Sequence, residues 1–170
     1  MSYSLEQFAA DCREVLKDDD GPSGREKVRQ YVEKALKDEE FVAQYLDGDG
    51  HPEREVIYED PDFGFCICAH VYEGAKQGQP HDHGPTWAIY GQARGETEMT
   101  DWKVIQQPDG DKPGKVEFVK SYKLTPGVAH AYEPGAVHAP LRDGPTRLIR
   151  VEGRNLAGVA RDKFEALEAA

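Results

Sequence analysis

A chain of 170 residues with 32 acidic and 21 basic side chains, net charge −11, is long enough to bury a core without disulfide staples. Its average field repels phosphate backbones and it carries no basic tract, which argues against nucleic acid as a partner. No apolar run approaches the roughly 20 residues that span a bilayer, so no membrane segment is expected.

The start, "MSYSLEQFAADCREVL", is amphipathic and acidic early, unlike a secretory signal or an Arg-rich transit peptide. The three cysteines, Cys12, Cys66 and Cys68, show no framework spacing. Both features predict a cytoplasmic protein with reduced thiols.

In chain order, the first third reads as helical. Leu5, Phe8, Ala9, Cys12, Val15 and Leu16 form a 3.6-residue stripe with Ser4 as N-cap. "DDDGPSG" interrupts, and Val28, Tyr31, Val32, Ala35 and Leu36 repeat the stripe, with a break or kink near Asp38. "DDDG" and "DGDG" lack the full ligand pattern of a calcium loop and read as caps and turns.

From residue 53 the grammar changes to short β-rich runs between Gly, Pro and Asp turns. These are "REVIYE", "FGFCICAHVY", "TWAIYGQARG", "TEMTDWKVIQ", "KVEFVKSYKLT", "VAHAYEP", "AVHAPLR" and "TRLIRVEG". Such spacing predicts an all-β sandwich or barrel. The tail "LAGVARDKFEALEAA" reads as a closing helix. The expectation is one domain over 1–170, with a helical part (1–50), a β-barrel (53–155) and a C-terminal helix (156–170).

Within "PHDHG", His81 and His83 are two apart, so on a strand both imidazoles share a face. His138 follows the turn "EPGAV" at the start of another strand. Three neutral imidazoles converging from more than one strand suit a divalent metal and leave coordination positions open. Cys66 and Cys68 also share a strand face and read either as a thiolate pair or as small core residues.

The segments "GAKQGQPHDHGPTWAIYGQARG" and "GVAHAYEPGAVH" resemble the two motifs of the cupin superfamily, over roughly residues 53–155. The resemblance implies a mainly β double-stranded β-helix, a jelly-roll barrel, with a metal held by His81, His83 and His138. Gly95, Gly127, Gly135 and His138 match motif positions, Gly74 stands one residue early, and Pro134 is displaced by one. Ala88 falls where most cupins place a carboxylate ligand, and Arg142 replaces the trailing Asn.

Loss of that carboxylate resembles the cysteine dioxygenase type of thiol dioxygenase, in which three histidines hold iron. The resemblance implies Fe(II), with Ni, Mn or Zn as other candidates, and a small thiol oxidised by O₂ to a sulfinate. The family's Ser-His-Tyr relay has no counterpart in "VEGRN". A redox-neutral lyase or isomerase using the metal as Lewis acid, and a non-catalytic ligand-binding cupin, remain as alternatives.

Other candidates follow from position. Arg54 lies near the family's carboxylate-binding Arg, displaced by about one residue, and reads as an anchor or as a surface residue. Tyr90 and Gln92 share the inward face of Ala88 and could bond substrate or oxygen. His130, eight residues before His138, reads as lying across a hairpin from it, as a ligand, an acid/base beside the metal, or a solvent-facing residue. Tyr132 is a further substrate-binding candidate. Arg142, Arg147, Arg150 and Arg154, interspersed with apolar residues, read as a solvent face. The expected partners are a small-molecule substrate and O₂, for a monomer or homodimer.

Overall fold

The computed structural model describes residues 2–167. Three helices come first: α1 (Leu5–Asp18), α2 (Pro22–Leu36) and α3 (Glu39–Tyr45). Their ends follow the sequence signals. The Ser4 hydroxyl accepts the Gln7 N–H at 3.1 Å, and Pro22 opens α2, where its missing N–H costs nothing. Asp38, the expected break, caps α3 by accepting the N–H groups of Glu40 and Phe41.

Ten strands follow: β1 (Glu55–Glu59), β2 (Cys66–Tyr72), β3 (Lys76–Gln77), β4 (Ala88–Arg94), β5 (Thr97–Gln106), β6 (Gly114–Leu124), β7 (Ala129–Tyr132), β8 (Val137–Arg142), β9 (Thr146–Glu152) and β10 (Phe164–Ala166). They form two five-stranded sheets, ordered β1-β2-β9-β4-β7 and β10-β6-β5-β8-β3. The antiparallel pairs β5·β6, β4·β7, β3·β8 and β2·β9 are successive rungs of one long ribbon. That ribbon is wound so that its rungs fall alternately in the two sheets, which defines a double-stranded β-helix.

The inner strands β2, β9 and β4 of the first sheet are largely buried on both faces. Its outer face carries Ile67, Ala69, Val71, Ile89, Ala93, Ile149 and Val151, packed against Phe8, Val28, Val32, Ala35 and Leu36 of the helices. Each buried aliphatic contributes on the order of 1.5–3 kcal/mol over leaving it exposed. Gly91 lets α2 approach this closely: a Cβ there would lie 2.5 Å from Val32 Cγ1. The alternate residues of the same strands (Cys68, His70 and Tyr72 on β2, Ala88 and Tyr90 on β4, Arg150 and Glu152 on β9) therefore face the barrel interior. A polar lining results, enclosed on the far side of the helical core.

The tail corrects the expected closing helix. Through residue 163 it runs as turns and irregular chain, then β10 pairs in parallel with β6 from Gly114 to Val116. The open edge of β6 offers backbone partners, with Gly114 N–H donating to Lys163 O and Leu167 N–H to Val116 O, both at 2.8 Å. A helix here would have had little to cover. The last part of the expected helix, 168–170, lies outside the described residues. Among the described residues no helix is long and apolar enough to cross a membrane.

Candidate metal centre

His81 and His138 face each other across the two strands of the β3·β8 rung and are joined by an isolated bridge, each backbone N–H donating to the other's carbonyl at 2.9 Å. Between His81 and His83 the Asp82 carboxylate turns back to accept the Gly84 N–H at 3.0 Å, and Gly84 takes a φ of +60°. This tight Asx-type turn suits Asp-x-Gly and fixes the exit from the histidine pair. One ligand atom from each of His81, His83 and His138 lies within 4.8 Å of the others. These three residues could hold a metal ion.

The donor set fits a cation. The His81 Nδ1 lies 2.9 Å from the Gln79 carbonyl and the His83 Nδ1 3.3 Å from the Glu152 carboxylate. Both acceptors require the proton on Nδ1, which leaves each Nε2 with a free lone pair turned inward. His83 Nε2 and His138 Nε2 are 3.2 Å apart. The Tyr90 hydroxyl sits among them, 2.8 Å from His83 Nε2, 3.2 Å from His138 Nε2 and 3.5 Å from His81 Nε2. One phenol proton can satisfy only one of the two lone pairs fixed on His81 and His83. His138 Nδ1 is buried without a partner, which leaves its ring free to present Nε2 to a divalent ion beside the other two.

The electrostatics keep the imidazoles neutral. Burial pushes His81 down to about 4 and lowers His83; His138 falls well below its ordinary value through burial and the neighbouring His81 and His83. Burial pushes the Tyr90 phenol up to about 12, against the pull of Arg150, so Tyr90 is a neutral donor at physiological pH. Burial acts to raise the Glu152 carboxyl, but the His83 hydrogen bond and the charge of Arg150 outweigh it and hold it below its usual value.

The remaining expectations divide. Ala88 faces inward without a ligating atom, as its sequence position implied, and Tyr90 reaches the cluster. Arg54 lines a cavity of about 360 Å³ with Arg150, Glu152 and Arg161, donating to Asn155 Oδ1 at 3.1 Å and lying 3.8 Å from Glu152.

Gln92 does not reach the cavity: its amide accepts from the Thr97 hydroxyl at 2.9 Å and donates to the Arg94 carbonyl at 3.0 Å. Tyr132 lays its ring 4.2 Å from that of His138, while its hydroxyl pairs with Tyr122 at 2.7 Å. His130 stays outside the cluster, its ring 4.7 Å from Tyr132. It does not face His138 across a hairpin, because β7 and β8 enter opposite sheets and His130 pairs with Tyr90 on β4.

Three residues were not anticipated. Glu152 orients His83, while Arg142 is buried and Arg150 is half-buried over Tyr90, instead of forming a solvent face. The signal lay in the alternation of "TRLIRVE", where Ile149 and Val151 take one face and Arg150 and Glu152 the other.

Cys66, Cys68 and Glu152 form a second group close enough to share an ion, with the sulfurs 3.8 Å apart. Arg54 and Arg150 act on the same thiols, and their positive charge opposes a cation there.

No family model and no curated protein matches this chain. Among solved structures it is similar to KdgF from Halomonas sp., at 16% identity over 66% of this chain and 89% of that one, with a TM-score of 0.47. A cupin superfamily protein from Desulfitobacterium hafniense matches at 10% identity, over 67% and 88%, with a TM-score of 0.46. A protein with a double-stranded β-helix domain from Klebsiella pneumoniae matches at 20% identity, over 65% and 80%, with a TM-score of 0.44. The fold itself is defined by the coiled ribbon of strand pairs.

Proposed function

We propose that this protein is a metal-dependent oxygenase that holds Fe(II) on His81, His83 and His138 and oxidises a small thiol to a sulfinate with O₂. The observation that supports this most is the all-imidazole donor set, with Ala88 in place of an inward carboxylate, the buried Glu152 spent on His83 Nδ1 and the Asp82 carboxylate on Gly84 N–H. Three neutral ligands would leave a bound ion its full charge, which would favour a thiolate over a thiol and supply Lewis acidity at the centre. In the overall change RSH + O₂ → RSO₂H, sulfur loses four electrons, O₂ gains four, and both oxygen atoms end on sulfur.

The chain's own residues supply orientation and exclusion of water. Glu152 fixes the ring of His83, and the Gln79 carbonyl fixes that of His81. Tyr132 packs over His138 and closes the cluster on that side. Tyr90, as a neutral phenol amid the three Nε2 atoms, donates a hydrogen bond to whatever electron-rich atom occupies the centre.

That same position favours a second reading. An acid/base phenol beside a Lewis-acidic metal is also the equipment of a redox-neutral lyase or isomerase. Oxygen consumption by Fe(II)-loaded protein across a panel of small thiols separates the two. Uptake matched one-to-one by sulfinate, and lost in His138→Ala, supports the oxygenase. Turnover of a substrate without O₂ uptake would favour the lyase or isomerase.

A further inference from the structure

Arg142 is an anomaly in charge. It is 3% exposed, its guanidinium carbon lies 4.5 Å over the ring of Tyr72, and its Nε and one terminal nitrogen are buried without a hydrogen-bond partner. The titratable groups acting on it are Tyr72, Tyr90 and Arg150, and none is a carboxylate. Arg150 repeats the arrangement on the next strand, 4.2 Å over the ring of Tyr90, with its own Nε unpartnered. A guanidinium cannot shed its proton in a protein, so the charge stays and must be met. Leaving one buried and unmet is strongly unfavourable.

At the cavity mouth Arg150 is joined by Arg54 and Arg161, the latter donating to the Asp82 carbonyl at 3.2 Å. Glu152 is the one acid lining this cavity, and Arg54 and His83 already share it. A chain of net charge −11 has thus turned four arginines toward the barrel interior and its mouth, with Glu152 the one carboxylate lining the cavity beside them. A cation at the histidines adds to that excess. What is missing is negative charge in more than one place.

We propose that the barrel takes a small organic acid with two anionic groups, one received by Arg142 beside Tyr72 and the other by Arg150 at the mouth. Planar guanidinium groups fit carboxylates through paired N–H bonds, and the tyrosine rings beneath hold the forks in place. The two arginines therefore set specificity for charge number. This rests on the reading of the barrel as a ligand-binding site, with or without a metal, and its test does not need turnover.

The test is calorimetric titration of succinate, malonate, acetate and inorganic phosphate at constant ionic strength, into metal-free and Zn(II)-loaded protein. Succinate or malonate is expected to bind at least tenfold tighter than acetate. Phosphate, whose charge sits on a single centre, is expected to bind more weakly than succinate. Arg142→Met and Arg150→Met should each abolish the dianion preference, while the surface variant Arg94→Met keeps it. Arg142→Met should also raise the melting temperature of the ligand-free protein, and Arg142→Lys should not.

Equal binding of acetate and succinate, phosphate matching succinate, or a dianion preference surviving in Arg142→Met would each overturn the proposal. Failure of Zn(II) to bind while dianions still do would overturn the metal reading and leave this one standing.

Discussion

Glu152 on β9 lies 3.3 Å from His83 Nδ1, so a carboxylate contributed by the last strand of the ribbon holds a ring contributed by the turn before β4. Both side chains are almost wholly buried. Glu152→Gln keeps the shape and removes the charge that fixes the proton on Nδ1. The variant is expected to bind divalent metal about 10–100-fold more weakly while keeping its fold, because partners of a ligating histidine contribute that much to affinity. Isothermal titration with Zn(II) checks this, and affinity within twofold of wild type would remove Glu152 from the centre.

Tyr90→Phe separates chemistry from assembly. The ring keeps its place beneath Arg150 and beside Tyr132, and only the hydroxyl among the three Nε2 atoms is lost. Metal content should be unchanged, and kcat should fall about 10²–10⁴-fold, the usual share of a positioned proton donor. Unchanged kcat would assign Tyr90 to packing alone.

The histidines predict an acid limit. Burial holds His81 at about 4 and lowers His83 and His138, so the folded metal-free protein binds fewer protons than the unfolded chain between there and the ordinary value near 6.5. Stability is therefore complete above about 6.5 and falls as pH drops through the window, by about 1.4 kcal/mol per pH unit for each such group. Metal affinity falls in the same direction, since protons compete for the same nitrogens. Urea melts from pH 7.5 to 4.5 measure it; the slope should flatten in His81→Asn, and a pH-independent midpoint would contradict the burial of these rings.

The helices and most strands were legible in the sequence because each had a clear period and clear punctuation, whereas the two-residue β3 and the tail strand β10 were not. Ser4, Pro22 and Asp38 cap or open the three helices, and eight of the strands fall within the β-rich runs. His81, His83 and His138 were legible because two share a strand-like stretch and the third follows a tight turn. The arginines were not, and the reason is physical. A charged residue alternating with apolar ones on a strand normally faces water. For Arg150, the helices cover the outer face of the first sheet, with α2 against β4 and β7, so the apolar residues of β9 face the helical core and the charged ones face the barrel. His130 misled for a related reason, since the short turn after Tyr132 carries the chain from one sheet to the other instead of closing a hairpin.

Gly91 tests that helical cover directly. A Cβ would meet Val32 Cγ1 at 2.5 Å and Leu36 Cδ1 at 2.8 Å, which pushes α2 off the sheet. Gly91→Ala should cost about 1–3 kcal/mol, the usual penalty of overpacking, read as a lower urea midpoint. A neutral substitution would show that α2 docks more loosely than the packing implies.

The account stands or falls on the three imidazoles acting as one site. Equilibrium titration with Co(II), followed by its visible ligand-field bands and by metal-to-protein ratio, tests this in wild type and in His81→Ala, His83→Ala and His138→Ala. One Co(II) per chain, lost or weakened at least a hundredfold in every variant, is the predicted result. A wild-type protein that binds no Co(II), or variants that all retain it, would contradict the site.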